Sequence, residues 1–201
     1  MKGTVFVISA PSGAGKNTVI KKYLETAGSS KGMVVSVSVT TRQPRQGEID
    51  GRHYHFFTKE KFRDYIKKGK FLEYARVLDN YYGTLKETVI SSINKGKNVI
   101  MDVDVQGGRS IKKRLKNDAI TVFIIPPSLK ELEKRLKGRK TESPQAIRKR
   151  LELGKKELKE RKKYDYIVVN DTVEEAVKHL DLIVRLETEE KRQSGTNGGR
   201  K

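Results

Sequence analysis

The stretch TVFVISAPSGAGKNTVIKKYL, residues 4–24, decides the fold. Residues 4–9 are an apolar, β-branched run of the kind that forms a strand buried on both faces, and 17–24 space their apolar residues as a helix does. Between them lies a short loop with Gly13 and Gly15. Glycines there let the backbone curl until successive N–H groups point inward, and the N-terminus of the following helix adds its positive dipole end. Ser12, Gly13, Ala14 and Gly15 supply the amides, and Lys16 can reach the outer phosphates of a nucleoside triphosphate. Strand, loop and helix in this order are the context that a phosphate-holding loop requires. The usual pattern, GxxxxGK followed by Ser or Thr, is altered twice. Ala10 replaces the first Gly, which asks only for a backbone angle that a small residue can adopt. Asn17 replaces the hydroxyl that ligates Mg²⁺ in such loops, although an amide oxygen can also coordinate the ion. Thr18 stays beside the loop, but about 100° further around the helix, so it does not take over that ligand. A merely structural Gly-rich turn is the plain alternative, and it leaves Lys16 unexplained.

Working outward, further apolar runs at 34–39, 98–103, 119–125 and 165–170 alternate with helical patterns at 85–95, 128–137, 144–163 and 172–185. This order predicts an α/β core with a five-stranded parallel sheet flanked by helices. Ser128 with Glu131 and Thr172 with Glu175 have capping-box spacing, and Ser143 before Pro144 starts another helix. Residues 98–104, NVIMDVD, end an apolar strand in carboxylates. Asp102 and Asp104 share one face there, where a carboxylate can meet Mg²⁺ or its waters; a helix cap or turn is the other reading of either aspartate.

Two segments interrupt the alternation. Residues 40–83 are polar and aromatic with a short helical stretch near 59–68, which predicts an inserted subdomain; 126–163 follow a Pro-Pro stop and carry many cations on two helices, as a mobile lid does. After Glu187 the chain has little to bury. The expected division is a core of 1–35, 85–125 and 164–187, an insert of 36–84, a lid of 126–163 and a disordered tail of 188–201.

Among 201 residues there is no cysteine, which excludes disulfides, zinc–thiolate sites and a thiol nucleophile, and three scattered histidines do not make a metal site. The apolar runs are too short to span a bilayer, and the first runs into the glycine loop rather than a cleavage site, so a cytoplasmic protein without membrane association is expected. Forty-four Lys and Arg against 25 Asp and Glu give +19, which favours anionic partners. No recognisable nucleic-acid motif accompanies the charge, so small phosphorylated ligands are expected rather than DNA or RNA.

Segments SVSVTTRQPRQGEIDGRHY at 36–54, FLEYA at 71–75, NYYGT at 80–84, IMDVDVQG at 100–107, RLKGRKTES at 135–143 and YIVVND at 166–171 together resemble the guanylate kinase family over nearly all of 1–187. The chemistry of the residues agrees. Arg42 and Arg45 can fork onto a monophosphate, Tyr54 and Tyr82 can add hydroxyl donors, and Glu73 offers two acceptors to the adjacent N1–H and amino group of guanine. Arg135 and Arg139, four apart, and Arg150 on the next helix can meet the charge that spreads over a phosphoryl group in transfer.

The resemblance implies a P-loop NTPase core, ATP as co-substrate, Mg²⁺, and transfer of the γ-phosphoryl group to GMP, and also to dGMP, by a monomer or small homo-oligomer. It further implies that Ser38 and Thr84 complete the guanine and phosphate contacts, that Asp104 belongs to the base-reading group, that Arg135, Arg139 and Arg150 sit on the lid, and that Asn170 touches adenine. The other reading is a catalytically silent guanylate-kinase-like domain that grips phosphorylated protein segments, to which Asn17 points.

Overall fold

The computed structural model describes residues 2–28, 32–77, 79–138 and 143–197. Its centre is a five-stranded sheet of β1 (Val5–Ser9), β2 (Met33–Val35), β7 (Asn98–Asp102), β8 (Ala119–Ile125) and β9 (Tyr166–Val169), in the order β2-β7-β1-β8-β9. Every pairing in it is parallel. β1 is buried along its whole length, and its side chains alternate between the two faces as strand geometry dictates. Phe6 and Ile8 pack against α1 (Lys16–Tyr23) and α7 (Val173–Asn197) through Val19, Ile20, Tyr23, Ala176 and Leu180. Val5 and Val7 pack on the other face against α3 (Lys86–Asn94) and α4 (Val105–Leu115) through Val89, Ile93 and Ile111.

A second sheet stands beside the carboxyl ends of this one. It comprises β3 (Val39–Thr40), β4 (His55–Phe56), β5 (Phe71–Val77) and β6 (Asn80–Leu85) in the order β4-β3-β6-β5, with α2 (Lys59–Lys67) packed on it. Its small core is aromatic: Phe62 stacks on Phe71 at 4.3 Å and on Tyr81 at 5.3 Å. Helices α5 (Leu129–Lys137) and α6 (Pro144–Lys159) form a packed pair after β8.

Three expectations differ from the structure. The run at 34–39 is two strands, β2 in the large sheet and β3 in the small one, because the chain leaves the first sheet after Ser36 hands its N–H to Ile100. Helix α4 was not expected, since a Gly-Gly pair disfavours helix. Glycine is required at 108, because a Cβ there would stand 2.6 Å from the Tyr164 hydroxyl and 2.7 Å from that of Ser9. The stretch expected to fray after Glu187 continues α7 to Asn197, as the good helix formers Glu, Lys, Arg and Gln allow; 198–201 lie outside the described residues.

Phe62 is fully buried, so Phe62→Ala should cost about 3–5 kcal/mol, the usual loss for a core aromatic. A loss of that size in the unfolding free energy from urea titration, seen as a lower midpoint at unchanged slope, is the expected result.

Candidate functional site

The loop after β1 has the shape that its glycines foretell. Gly13 and Gly15 take φ of 94° and 86°. Gly15 also has no room for a side chain, because a Cβ would lie 2.4 Å from the Asn170 amide nitrogen. That amide donates to the Ala14 carbonyl at 2.7 Å, and Arg135 donates to the Asn170 carbonyl at 3.0 Å. Asn170 is buried, and its Oδ1 has no hydrogen-bond partner among the described residues. A cavity of about 430 Å³ opens over the loop, lined by Ser12, Gly13, Gly15, Lys16, Asn17, Thr18, Asp104 and Glu157 among others.

Strand register brings the carboxylates to this loop. Ile8 pairs with Asp102, so the end of β7 lies level with the start of the loop. Lys16 donates to the Val103 carbonyl at 2.7 Å and is ion-paired with Asp102. Asn17 and Asp102 line the same cavity, while no cluster of three carboxylate or imidazole ligands is gathered among the described residues. One amide oxygen and one carboxylate suit a hard cation such as Mg²⁺, which takes most of its ligands from water and phosphate. Asp104 caps α4, its Oδ1 accepting from the Gly107 N–H at 2.7 Å, so the cap reading holds for one of its oxygens.

The second cavity, about 300 Å³, lies between the two sheets and is lined by Lys16, Asn17, Ser38, Tyr54, Glu73, Tyr82, Asp102 and Asp104 among others. Lys16, Asn17 and Asp104 therefore belong to both cavities. Glu73 is only 6% exposed and accepts from the Thr84 hydroxyl at 2.8 Å. Burial, with Asp104 adding to it, pushes its carboxyl up to about 7. Arg114 of α4 donates to the Phe71 and Leu72 carbonyls at 3.1 and 2.6 Å, which fixes the start of the strand that carries Glu73.

Tyr54 and Tyr82 meet edge to face at 6.2 Å, and Arg42 stands over the Tyr54 ring at 5.4 Å. Neither Arg42 nor Arg45 is part of the cavity lining, although Arg42 touches the lining residue Tyr54. Arg42 is held by two parallel hydrogen bonds to Glu48, each 2.8 Å, and the Arg45 N–H donates to the same carboxylate at 2.7 Å. The Arg42 bonds are the main reason the Glu48 carboxyl is drawn down to about 2, and they raise the Arg42 guanidinium in turn.

Of the cations of 126–163, Arg135 reaches the loop, also meeting the Asp171 carbonyl at 3.3 Å and Glu131 at 3.0 Å. Arg150 is half-buried on α6. Arg139 lies outside the described residues. Glu48 and Glu157 were not picked out from the sequence; acidic residues in a basic chain carry no local signal, although Glu48 follows Arg42 and Arg45 in one short motif.

The family model described as guanylate kinase matches residues 2–187. The guanylate kinase of Clostridium perfringens (strain SM101 / Type A) is 45% identical over 186 residues, covering 92% of this chain and 84% of its own. That of Prochlorococcus marinus (strain NATL2A) is 44% identical over 179 residues, covering 89% of this chain and 94% of its own. The crystal structure of guanylate kinase from Anaplasma phagocytophilum superposes with a TM-score of 0.75 at 31% identity, covering 92% of this chain and 86% of that one.

The raised Glu73 carboxyl has a consequence for stability. Between its ordinary value of 4.5 and about 7, native Glu73 keeps a proton that the unfolded chain releases, so raising the pH through this window removes stability. Urea unfolding at about pH 5 and about pH 8 should show a smaller loss for Glu73→Gln than for the wild type.

Proposed function

We infer how this chain works from the premise that it belongs to the guanylate kinase family: it is an ATP:GMP phosphotransferase, and its own residues divide the task between the two cavities. The observation that carries this division is that Lys16, Asn17 and Asp104 line both. The cavity over the loop takes the phosphates of ATP and the one between the sheets takes GMP, so their shared wall is where the γ-phosphoryl group crosses.

Guanine enters against Glu73, whose carboxylate accepts from N1–H and the 2-amino group while Thr84 and Ser38 complete the polar contacts. Adenine presents an acceptor at N1 and would leave Glu73 unpaired, which is a costly mismatch in a buried site. Arg42, Arg45, Tyr54 and Tyr82 hold the monophosphate, and dGMP fits the same description. On the other side, the amides of Ser12 to Gly15 receive the ATP phosphates, and the free Oδ1 of Asn170 is available to the adenine amino group.

Lys16 leaves Asp102 to follow the β- and γ-phosphates. Asn17, and Asp102 through water, would hold Mg²⁺, which neutralises phosphate charge when bound. A GMP phosphate oxygen then attacks the γ-phosphorus in line as the bond to the bridging oxygen of ADP breaks, and no covalent enzyme intermediate forms. Arg135, Arg139 and Arg150, on a lid of 126–163 that closes over the insert, stabilise the charge on the transferring oxygens and keep water out. The silent binding domain is not favoured, since Lys16 and Asp102 are both kept and the relatives are named as kinases. No helix among the described residues is long and apolar enough to cross a membrane, which supports a cytoplasmic site for the reaction.

ADP formation from ATP should be fast with GMP and slow with AMP, CMP or UMP; comparable rates with AMP would remove Glu73 from base recognition. Glu73→Gln should lower kcat/KM for GMP by at least ~100-fold, the scale of an unpaired polar group in a reading site. For the metal, Asn17→Ser should lower the magnesium concentration at half-maximal turnover and raise kcat; no change in either would show that residue 17 is not a ligand.

A further inference from the structure

The phosphate loop already holds an anion of the protein's own. Helix α6 lies against it at Gly154, which is buried; a Cβ there would stand 3.1 Å from Leu132 and 3.8 Å from Pro11. Three residues on, Glu157 lines the loop cavity, and its Oε2 accepts from the Ser12 backbone N–H at 3.4 Å. That N–H is one of the inward-pointing amides of the loop, the groups that receive phosphate oxygens. Burial, with Asp104 adding to it, raises the carboxyl of Glu157 above its ordinary value, although the Ser12 N–H and Lys16 favour its charged form.

A carboxylate in this place opposes the arrival of a polyphosphate unless it can be displaced. We propose that Glu157 is an internal competitor of the phosphates, which docks α6 on the loop through Ser12 and sets nucleotide affinity by having to leave. The proposal rests on the reading of the loop as the ATP phosphate site. A phosphate oxygen and Glu157 cannot both take the Ser12 N–H, and at close range two negative charges repel strongly in a half-buried site. Entry of the triphosphate therefore detaches α6 from the loop. Arg150, seven residues before Glu157 and so on the same face of the helix, moves with it. Filling the loop and repositioning a lid arginine become one event.

The test is calorimetric titration of the full chain, without magnesium, with ADP and with inorganic pyrophosphate. Glu157→Gln keeps the shape and an acceptor oxygen for Ser12 but not the charge, and should bind both ligands roughly 10-fold tighter, as expected for removing one nearby, partly screened charge. Glu157→Ala should change in the same direction, and Lys16→Met should bind both more weakly. Unchanged or weaker binding by both Glu157 variants, with the Lys16 effect intact, overturns the proposal and leaves the loop as the phosphate site. Failure of the wild type to bind either ligand, or indifference to Lys16→Met, overturns the loop reading and the proposal with it.

Discussion

Two left-handed glycines and one buried amide set the position of everything else in the site. Gly13 and Gly15 turn the backbone between β1 and α1, and Asn170 braces the turn from outside by donating to the Ala14 carbonyl. Asn170 is the first residue after β9, at the edge of the sheet, and its own N–H donates to the Ile125 carbonyl at the end of β8. The loop is thus tied across β1, β8 and β9 at their carboxyl ends, while the Ile8 to Asp102 register ties it to β7. A shift of one residue in that pairing would move Asp102 to the opposite face and break the contact with Lys16.

The site is charge-compensated by the protein. Lys16 is paired with Asp102, Arg42 with Glu48, and the Ser12 amide with Glu157. Each of these cationic or N–H groups is one that the proposed function assigns to a substrate phosphate. Compensation of this kind keeps these donors ordered, and under the proposed reading it does so at the expense of binding strength, because a phosphate taken up by any of them replaces an internal contact. The three pairs differ in how they can respond. Glu48 also accepts from the Arg45 backbone, so it can stay as a brace for Arg42 while remaining guanidinium donors turn to phosphate. Asp102 can pass from lysine to a metal-bound water. Glu157, facing the loop amides themselves, has no such second use and must move.

The legible parts of the molecule were those with a local signature. The sequence at 4–24 carries strand, loop and helix in one continuous pattern, and the Val- and Ile-rich runs at 98–103 and 119–125 match β7 and β8 closely. What was hidden depended on contacts between distant residues. Helix α4 carries a glycine pair that propensity disfavours, and the reason for Gly108 is seen only in the packing, where a Cβ would meet Ser9 and Tyr164. The 34–39 run looks like one strand because period-two alternation does not tell which sheet a residue joins. Within the site, Ser38, Tyr54, Glu73 and Tyr82 line one cavity, whereas Arg42 is outside that lining and its guanidinium, like the Arg45 backbone N–H, is bound to Glu48.

Base recognition follows from how Glu73 is buried. A carboxyl pushed up to about 7 by burial is not firmly ionised, and the Thr84 hydroxyl is its one side-chain donor among the described residues. Two donors side by side supply what the pocket lacks, since they stabilise the ionised form that burial disfavours. A base with an acceptor in place of N1–H would instead need Glu73 to keep its proton and to offer it in the right direction. On the proposed reading, selection of guanine rests on a group left short of hydrogen bonds, on a strand held by the aromatic core of the second sheet and by Arg114.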